Sequence, residues 1–313
     1  MMQFDRITLG RKAKELGFVR DTFEKVCRLV EVLRVMEADA VLSPCLALKG
    51  GTAINLTIFD LPRLSVDIDL DYSKNVSRDE MLAEREEITS RIKKYMTAAG
   101  YTLGGRSKSY HALDSFVFEY QNAAGMRDNL KIEINYMIRC HVLPVERRVV
   151  RLPWLEEALT VLSVSSLEIF GSKIVALLNR TAPRDLYDIR NILKLGTVAR
   201  EDEALLRKIV MFYSALSADA VPETFAIDSI PQVQQYKIKS ELVPVLRQGE
   251  WFEAKTAQRE IAEYLSRVLV PDAEELSFWQ EFRQKQYRPE LLFKDEEMVS
   301  RVKLHPMAAW KCR

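Results

Sequence analysis

The stretch Ser65-Val-Asp-Ile-Asp-Leu-Asp-Tyr72 alternates apolar and acidic residues, and this alternation predicts a half-buried β-strand. Successive side chains of a strand point to opposite faces, so the aspartates Asp67, Asp69 and Asp71 share one face. Like charges so close together repel, and a cation that prefers carboxylate oxygens, such as Mg²⁺ or Mn²⁺, relieves that repulsion. Asp67 and Asp69 therefore form a candidate metal site, and Asp71 is assigned to a solvated face. An acidic face bathed only in solvent is the alternative.

A glycine-rich turn precedes this strand by about fifteen residues. Leu48-Lys-Gly-Gly-Thr52 follows a short apolar run and leads into a predicted helix, so Gly50 and Gly51 lie at a strand-to-helix turn. Such a turn lets a phosphate approach the backbone N–H groups of the first helical turn. The Thr52 hydroxyl is a further candidate contact. Taken alone the turn predicts only a change of chain direction, but with the DxD strand it predicts a phosphate grip beside a metal site.

A third acidic residue lies on a later strand, Lys131-Ile-Glu-Ile-Asn-Tyr136. Glu133 alternates there with isoleucines and so projects away from the apolar face. If this strand pairs beside residues 65–72, Glu133 completes a cluster of three carboxylates able to hold two divalent ions. A glutamate on an edge strand is the alternative.

Composition excludes several classes of protein. The 313 residues carry a net charge of +1, so overall charge predicts no polyanionic partner. No apolar run approaches the roughly 18 residues that span a membrane, and the N-terminus does not resemble a secretory signal. Four dispersed cysteines and three scattered histidines predict neither disulfides nor a zinc site, which favours a reducing cytoplasm.

The chain changes character near residues 150–165. Residues 1–155 mix predicted strands with helices at 19–38 and 79–98, which indicates an α/β (α+β) domain with a mixed sheet. Residues 156–313 predict a mainly helical domain. Its helices are expected at about 166–180, 184–194, 201–217, 232–247, 253–269 and 274–302.

These motifs together resemble the nucleotidyltransferase AbiEii/AbiGii toxin family of the DNA polymerase β-like superfamily, which includes MenT-type toxins. The superfamily pattern is matched by the Gly-Gly-Thr turn, the DxD strand and Glu133. The narrower resemblance lies in Arg63-Leu-Ser-Val-Asp-Ile-Asp-Leu70, Lys173-Ile-Val-Ala-Leu-Leu-Asn-Arg180, Pro183-Arg-Asp-Leu-Tyr-Asp188 and His305-Pro306.

The resemblance implies a nucleotidyltransferase core followed by a helical domain that closes over the nucleotide. It implies a metal-dependent toxin, paired with an antitoxin and linked to abortive infection, that transfers NMP from an NTP to a tRNA 3′ end. By motif match Lys173 contacts the triphosphate and Asp185 is an essential acid.

Physical reasoning adds further candidates around these motifs. Arg180 lies seven residues after Lys173 on one helix face, so both cations are candidate triphosphate ligands. Helix capping and surface ion pairs are the alternative for the block 183–188. Arg63 and Ser65 are candidate nucleotide contacts as well, although Arg63 could instead pair with an aspartate of the DxD strand.

Three rival functions remain open. A glycosyltransferase also uses DxD to bind a metal with a nucleotide sugar, but lacks the block from Lys173 to Asp188. A non-catalytic nucleotide-binding regulator would retain the fold and bind NTP without turnover. A kinase-like phosphotransferase would release a nucleoside diphosphate instead of pyrophosphate.

Overall fold

A computed structural model describes residues 5–155, 157–217 and 219–313. The chain divides into two compact units. The first comprises Met1–Arg139, Val145–Val164 and Pro244–Glu250, and the second comprises Cys140–Pro144, Ser165–Val243 and Trp251–Arg313. The domain boundary at 155/156 stays a prediction. None of the helices in the described residues combines the length and apolar character needed to cross a membrane.

The first unit is built on a mixed sheet, as the alternating segments predict. Its strands are β1 (Leu46–Leu48), β2 (Asp67–Tyr72), β3 (Thr102–Leu103), β4 (Lys108–Ser109), β5 (Leu113–Gln121), β6 (Arg127–Asn135), β7 (Glu146–Val149) and β8 (Thr160–Ser163). They run in the order β3-β5-β6-β2-β1-β8-β7, and β4 pairs with β5. β2 pairs in parallel with β6 and β1 in parallel with β8, whereas the other pairs are antiparallel. The acidic strand β2 therefore lies in the middle of the sheet.

Helices of the first unit are α1 (Arg6–Leu16), α2 (Arg20–Ala38), α3 (Gly50–Ala53), which continues as a π-helical turn over Ile54–Ile58, and α4 (Arg78–Ala98). The apolar stripe predicted for residues 19–38 is buried in α2, which packs on β6 and β8. Ser77 and Glu80 form a reciprocal capping box at the start of α4. This cap explains why the charged helix begins at Arg78.

The second unit is helical over its described residues. Its helices are α5 (Ser166–Arg180), α6 (Pro183–Lys194), α7 (Glu203–Ser217), α8 (Gln235–Lys237), α9 (Ala254–Val268), α10 (Ala273–Arg283), α11 (Glu296–Val302) and α12 (Pro306–Lys311). Shorter 3-10 and π turns lie at Arg200–Asp202, Ile227–Gln232, Ile238–Leu242, Val243–Val245 and Pro289–Leu291. α5 packs on α6 and α7, and α9 packs on α6.

Two predicted helices are wrong as continuous elements. The segment 232–247 forms only short helical turns, and Pro244 cannot donate the backbone hydrogen bond that a helix needs. The segment 274–302 breaks after Arg283, where Lys285 adopts a left-handed φ of 65°. Pro289 then starts a separate 3-10 turn. The apolar periodicity continues through both breaks, so it predicted one long helix in each segment.

Candidate active site

The two carboxylates of the DxD motif lie on the half-buried face of β2. Asp67 and Asp69 are partly exposed, whereas Ile68 between them and Leu70 after Asp69 are buried. The expectation that Asp71 faces solvent is wrong, because its side chain is buried and pairs with Lys49 Nζ at 2.5 Å. Lys49 lies at the end of β1, the antiparallel neighbour of β2. The Asp71 end of this face is therefore buried and neutralised by Lys49, whereas the end with Asp67 and Asp69 is accessible.

The strand that carries Glu133 pairs beside β2, as the predicted cluster requires. In the parallel register of β2 and β6, Asp69 lies opposite Glu133 and Asp67 lies opposite Lys131. Paired residues of adjacent strands project to the same face, and neighbouring strands lie about 4.8 Å apart. Glu133 Oε2 accepts an ion pair from Lys131 Nζ at 2.9 Å. Lys131 was not predicted as part of this face, although its two-residue spacing from Glu133 puts both on one strand face.

The donor chemistry of this face suits a hard divalent cation. Asp67, Asp69 and Glu133 are carboxylates on one side of two adjacent strands, and Mg²⁺ prefers such oxygens. No group of three acidic, histidine or cysteine side chains within the described ranges is drawn together closely enough to hold a metal ion. Glu133 is instead turned towards Lys131. The three side chains therefore fit the ion by the chemistry of their oxygen atoms.

The Gly-Gly turn lies directly against Asp69. Gly50 has a left-handed φ of 67°, and a Cβ atom added there would stand 2.8 Å from Asp69 Oδ2. The N–H of Lys49 donates to the Asp69 carbonyl oxygen at 2.9 Å. Only glycine combines this backbone conformation with so close an approach to a carboxylate. The predicted neighbourhood of the turn and the DxD strand is thus present, and phosphate binding by the turn stays a prediction.

Gly51 is required by a buried arginine. A Cβ atom there would lie 2.6 Å from Arg63 Nη2 and 3.2 Å from Ser65 Oγ. Arg63 is 1% exposed, and its Nη1 donates to the Leu64 carbonyl oxygen at 3.0 Å. The N–H of Leu64 donates in turn to Val245, which holds this segment beside residues 244–250. Arg63 therefore packs against the Gly50-Gly51 turn from inside the protein.

The Thr52 hydroxyl is directed into the protein. Its oxygen lies 2.5 Å from the Asp67 carbonyl oxygen and 2.8 Å from Ser65 Oγ. A carbonyl only accepts, so the single Thr52 hydroxyl proton goes to Asp67 and the Ser65 hydroxyl donates to Thr52. Thr52 is 0% exposed. The hydroxyl thereby ties the turn to the first residue of β2.

Asn55 is a supporting residue that the sequence analysis overlooked. Its side chain is fully buried, and Nδ2 donates to the Gly51 carbonyl oxygen at 2.8 Å. It lies in the π-helical turn that continues α3. Such turns occur often at functional sites. The four-residue spacing from Gly51 was the available signal, since it places both residues on one helix face.

A second polar cluster lies within the helical unit. Lys173 Nζ on α5 contacts Asp185 Oδ1 at 2.8 Å and Asp188 Oδ2 at 3.0 Å, both on α6. Arg180 Nη2 contacts Asp185 Oδ2 at 2.7 Å. The two aspartates are fully buried and Lys173 is nearly so. The two cations and two carboxylates therefore balance one another.

Charge and burial compete at Asp185. Burial alone would raise the pKa of this carboxyl, but the charges of Lys173 and Arg180 outweigh it and lower the pKa to about 2. Asp185 is therefore ionised throughout the neutral range. Thr181, with a left-handed φ of 49°, and Pro183 at the first turn of α6 produce the bend that brings the two helices together here.

The candidate residues thus form two sets. The first unit brings together Gly50, Gly51, Thr52, Arg63, Ser65, Asp67, Asp69 and Glu133. The second unit brings together Lys173, Arg180 and Asp185, with Asp188 added by the structure.

The chain is similar to known proteins in both sequence and fold. Residues 33–278 match the family model described as nucleotidyl transferase AbiEii toxin, type IV toxin–antitoxin system. Among solved structures, the fold matches that of MenT4, a nucleotidyltransferase toxin from Mycobacterium tuberculosis H37Rv, with a TM-score of 0.65. The match covers 98% of this chain and 99% of that chain at 15% sequence identity. No curated protein matches the sequence.

Proposed function

The chain belongs to the AbiEii nucleotidyltransferase toxin family of type IV toxin–antitoxin systems, and from that membership we propose that it transfers NMP from an NTP to the 3′ end of a tRNA in a reaction that depends on a divalent metal ion. In this reaction an acceptor hydroxyl attacks the α-phosphorus and pyrophosphate leaves.

One observation carries the proposal: the register that sets Asp69 beside Glu133, with Gly50 packed on the same aspartate. Nucleotidyl transfer needs carboxylates that hold a metal ion and a backbone that a phosphate can approach. Asp69 has a second carboxylate, Glu133, on the neighbouring strand, and the glycine turn packs against Asp69 itself. A solvated acidic face would not need a glycine in a left-handed conformation against one of its carboxylates.

Asp67, Asp69 and Glu133 are the residues that would hold Mg²⁺ or Mn²⁺. The bound ion would activate the attacking oxygen and stabilise charge on the departing pyrophosphate. The chain's own contribution is to fix the two aspartates on a central strand and to present the N–H groups of the Gly50-Gly51 turn. Ser65, Thr52 and Arg63 position that turn from within the protein.

The cluster on α5 and α6 is proposed to serve the nucleotide through Lys173 and Arg180. Arg180 keeps 63% of its side chain exposed while contacting Asp185, so its guanidinium also meets solvent. Lys173 is buried between two aspartates that hold its ammonium in place. Asp185 is therefore proposed as the residue that orients both cations.

The partners proposed are an NTP, a tRNA acceptor and a cognate antitoxin protein, with action in the cytoplasm. Family membership supports the antitoxin. The near-neutral net charge supplies no general attraction for RNA, so the acceptor must be recognised locally.

The position of the label in the NTP separates the proposal from two of its rivals, the phosphotransferase and the nucleotide-binding regulator. The purified chain, Mg²⁺ and total bacterial tRNA are incubated with each NTP labelled at either the α- or the γ-phosphate. Nucleotidyl transfer moves only the α-label into tRNA and releases the γ-label as pyrophosphate. Transfer of the γ-label would indicate a phosphotransferase, and binding of NTP without release of either label would indicate a nucleotide-binding regulator.

A further inference from the structure

Lys131 lies on the acidic face formed by β2 and β6, at the end that carries Asp67. Its Cα partner across the parallel pair is Asp67, and Glu133 follows two residues later on the same strand face. Lys131 Nζ lies 2.9 Å from Glu133 Oε2. Its side chain is 36% exposed, so the ammonium lies at the rim of the face.

The ammonium lies on the same strand face as all three carboxylates, because Lys131 is opposite Asp67 and Glu133 is opposite Asp69 in the pairing of β2 with β6. Its direct contact is with Glu133. Asp71, the fourth acidic residue of this face, already has Lys49 as its partner. Asp67, Asp69 and Glu133 therefore have Lys131 as the cation on their own strand face.

We propose that Lys131 is the resident counter-ion of Asp67, Asp69 and Glu133, and that a divalent metal ion binds these carboxylates only by displacing its ammonium. The inference rests on the proposed metal site and deepens it. Lys131 acts here as a positioning residue, because it holds Glu133 away from the aspartates until the ion arrives. The strength of the Lys131–Glu133 pair thereby sets the affinity for the metal.

Because Lys131 and the metal ion compete for the same carboxylates, removing Lys131 should change the metal affinity in a predictable direction. Removing the ammonium leaves three like charges without the cation beside them, so metal affinity rises while the metal-free protein loses stability. One partly exposed ion pair contributes little, so the expected gain in affinity for Lys131→Met is about fivefold. Lys131→Arg keeps the positive charge and is expected to bind metal no more tightly than wild type.

The test uses Mn²⁺ alone as the probe, titrated into the full chain and followed by electron paramagnetic resonance of the free ion. Arg127→Met is the matched control, since it removes one positive charge from the same strand about 13 Å away. At 0.15 M salt that distance exceeds the Debye length, so the control should bind Mn²⁺ as wild type does. Asp69→Asn, run beside them, identifies the ion bound at the proposed site.

Melting temperature without metal gives a second readout that does not depend on activity. Lys131→Met is expected to melt below wild type without metal, with the gap closing on addition of Mn²⁺, whereas Arg127→Met should show no such closure. A Lys131→Met protein that binds Mn²⁺ with wild-type or weaker affinity, while Asp69→Asn loses that binding, would overturn this inference and leave the metal site intact. Mn²⁺ binding unaffected by Asp69→Asn would overturn both. If Lys131→Met cannot be purified folded, Lys131→Gln gives the same comparison.

Discussion

Asp185→Asn tests the buried ion cluster of α5 and α6 as a source of stability. The carboxyl has an ordinary pKa of 3.8 and a pKa of about 2 in the folded protein. A lowered pKa means that ionisation stabilises the fold, and the difference corresponds to about 2 kcal/mol at neutral pH. The amide keeps the size of the side chain but not its charge. We therefore expect Asp185→Asn to lower the free energy of unfolding by about 2 kcal/mol at pH 7.

The pH dependence gives this prediction its sign. The stabilisation is fully present above pH 3.8 and is lost as the pH falls through the folded value near 2. In urea unfolding, the free energy of unfolding of Asp185→Asn should lie below that of wild type by the same amount at pH 7 and pH 5. At pH 3 the difference should be roughly half as large. Asp228→Asn, at an exposed aspartate of the same unit, should show no deficit. A deficit that is absent at pH 7, or that does not shrink at pH 3, would refute the reasoning.

Three further substitutions probe the supports of the two clusters. Gly51→Ala places a Cβ atom 2.6 Å from the buried Arg63 guanidinium and should cost about 1–3 kcal/mol of unfolding free energy in urea titrations. Thr52→Val leaves the Asp67 carbonyl oxygen without its donor and should cost about 1–2 kcal/mol, read as a lower melting temperature. Lys173→Met leaves two buried carboxylates without their shared cation and should cost about 3 kcal/mol or more in the same urea assay.

Each of these substitutions has a matched control. Gly105→Ala adds the same methyl group where no atom lies within 4 Å, Thr52→Ser keeps the hydroxyl, and Lys255→Met removes an exposed ammonium from α9. Equal losses in a substitution and its control would show that the contact named for it does not carry the effect.

Local patterns predicted the central strands and most long helices. Alternation over 65–72 and 131–136 is a property of neighbouring residues, and it survives in β2 and β6 because both have one buried face. Amphipathic spacing likewise predicted α2 and α5 within a residue or two. The failures at 232–247 and 274–302 arose because apolar spacing says nothing about a break in the backbone.

Partners distant in sequence could not be predicted in the same way. Asp71 was assigned to solvent, yet Lys49 pairs with it across the β1–β2 pair. The Thr52 hydroxyl was assigned to phosphate, yet its acceptor is a carbonyl fifteen residues away. The buried state of Arg63 depends on Gly51 and on residues 244–250, which no local pattern connects.

The acidic face of β2 and β6 follows from sequence alternation and strand pairing taken together. Sequence alternation placed Asp67, Asp69 and Glu133 on exposed faces, and parallel pairing set Asp69 opposite Glu133. Lys131 entered by the same register, opposite Asp67. The pairing of β2 with β6 thus joins the DxD motif and the strand of Glu133 into one acidic face that also carries Lys131.

The most direct test of metal-dependent nucleotidyl transfer measures incorporation of α-labelled NMP into tRNA by wild type, Asp69→Asn and Asp71→Asn side by side. Asp71 lies on the same strand face but already pairs with Lys49, so it is the matched control for loss of one carboxylate. We predict that wild type labels tRNA only when Mg²⁺ or Mn²⁺ is present. Asp69→Asn should lower the labelling rate by at least about a hundredfold, the order of loss for one key charge-stabilising group. Asp71→Asn should retain substantial labelling. Labelling by Asp69→Asn at the wild-type rate, or labelling by wild type in the presence of excess chelator, would contradict the account.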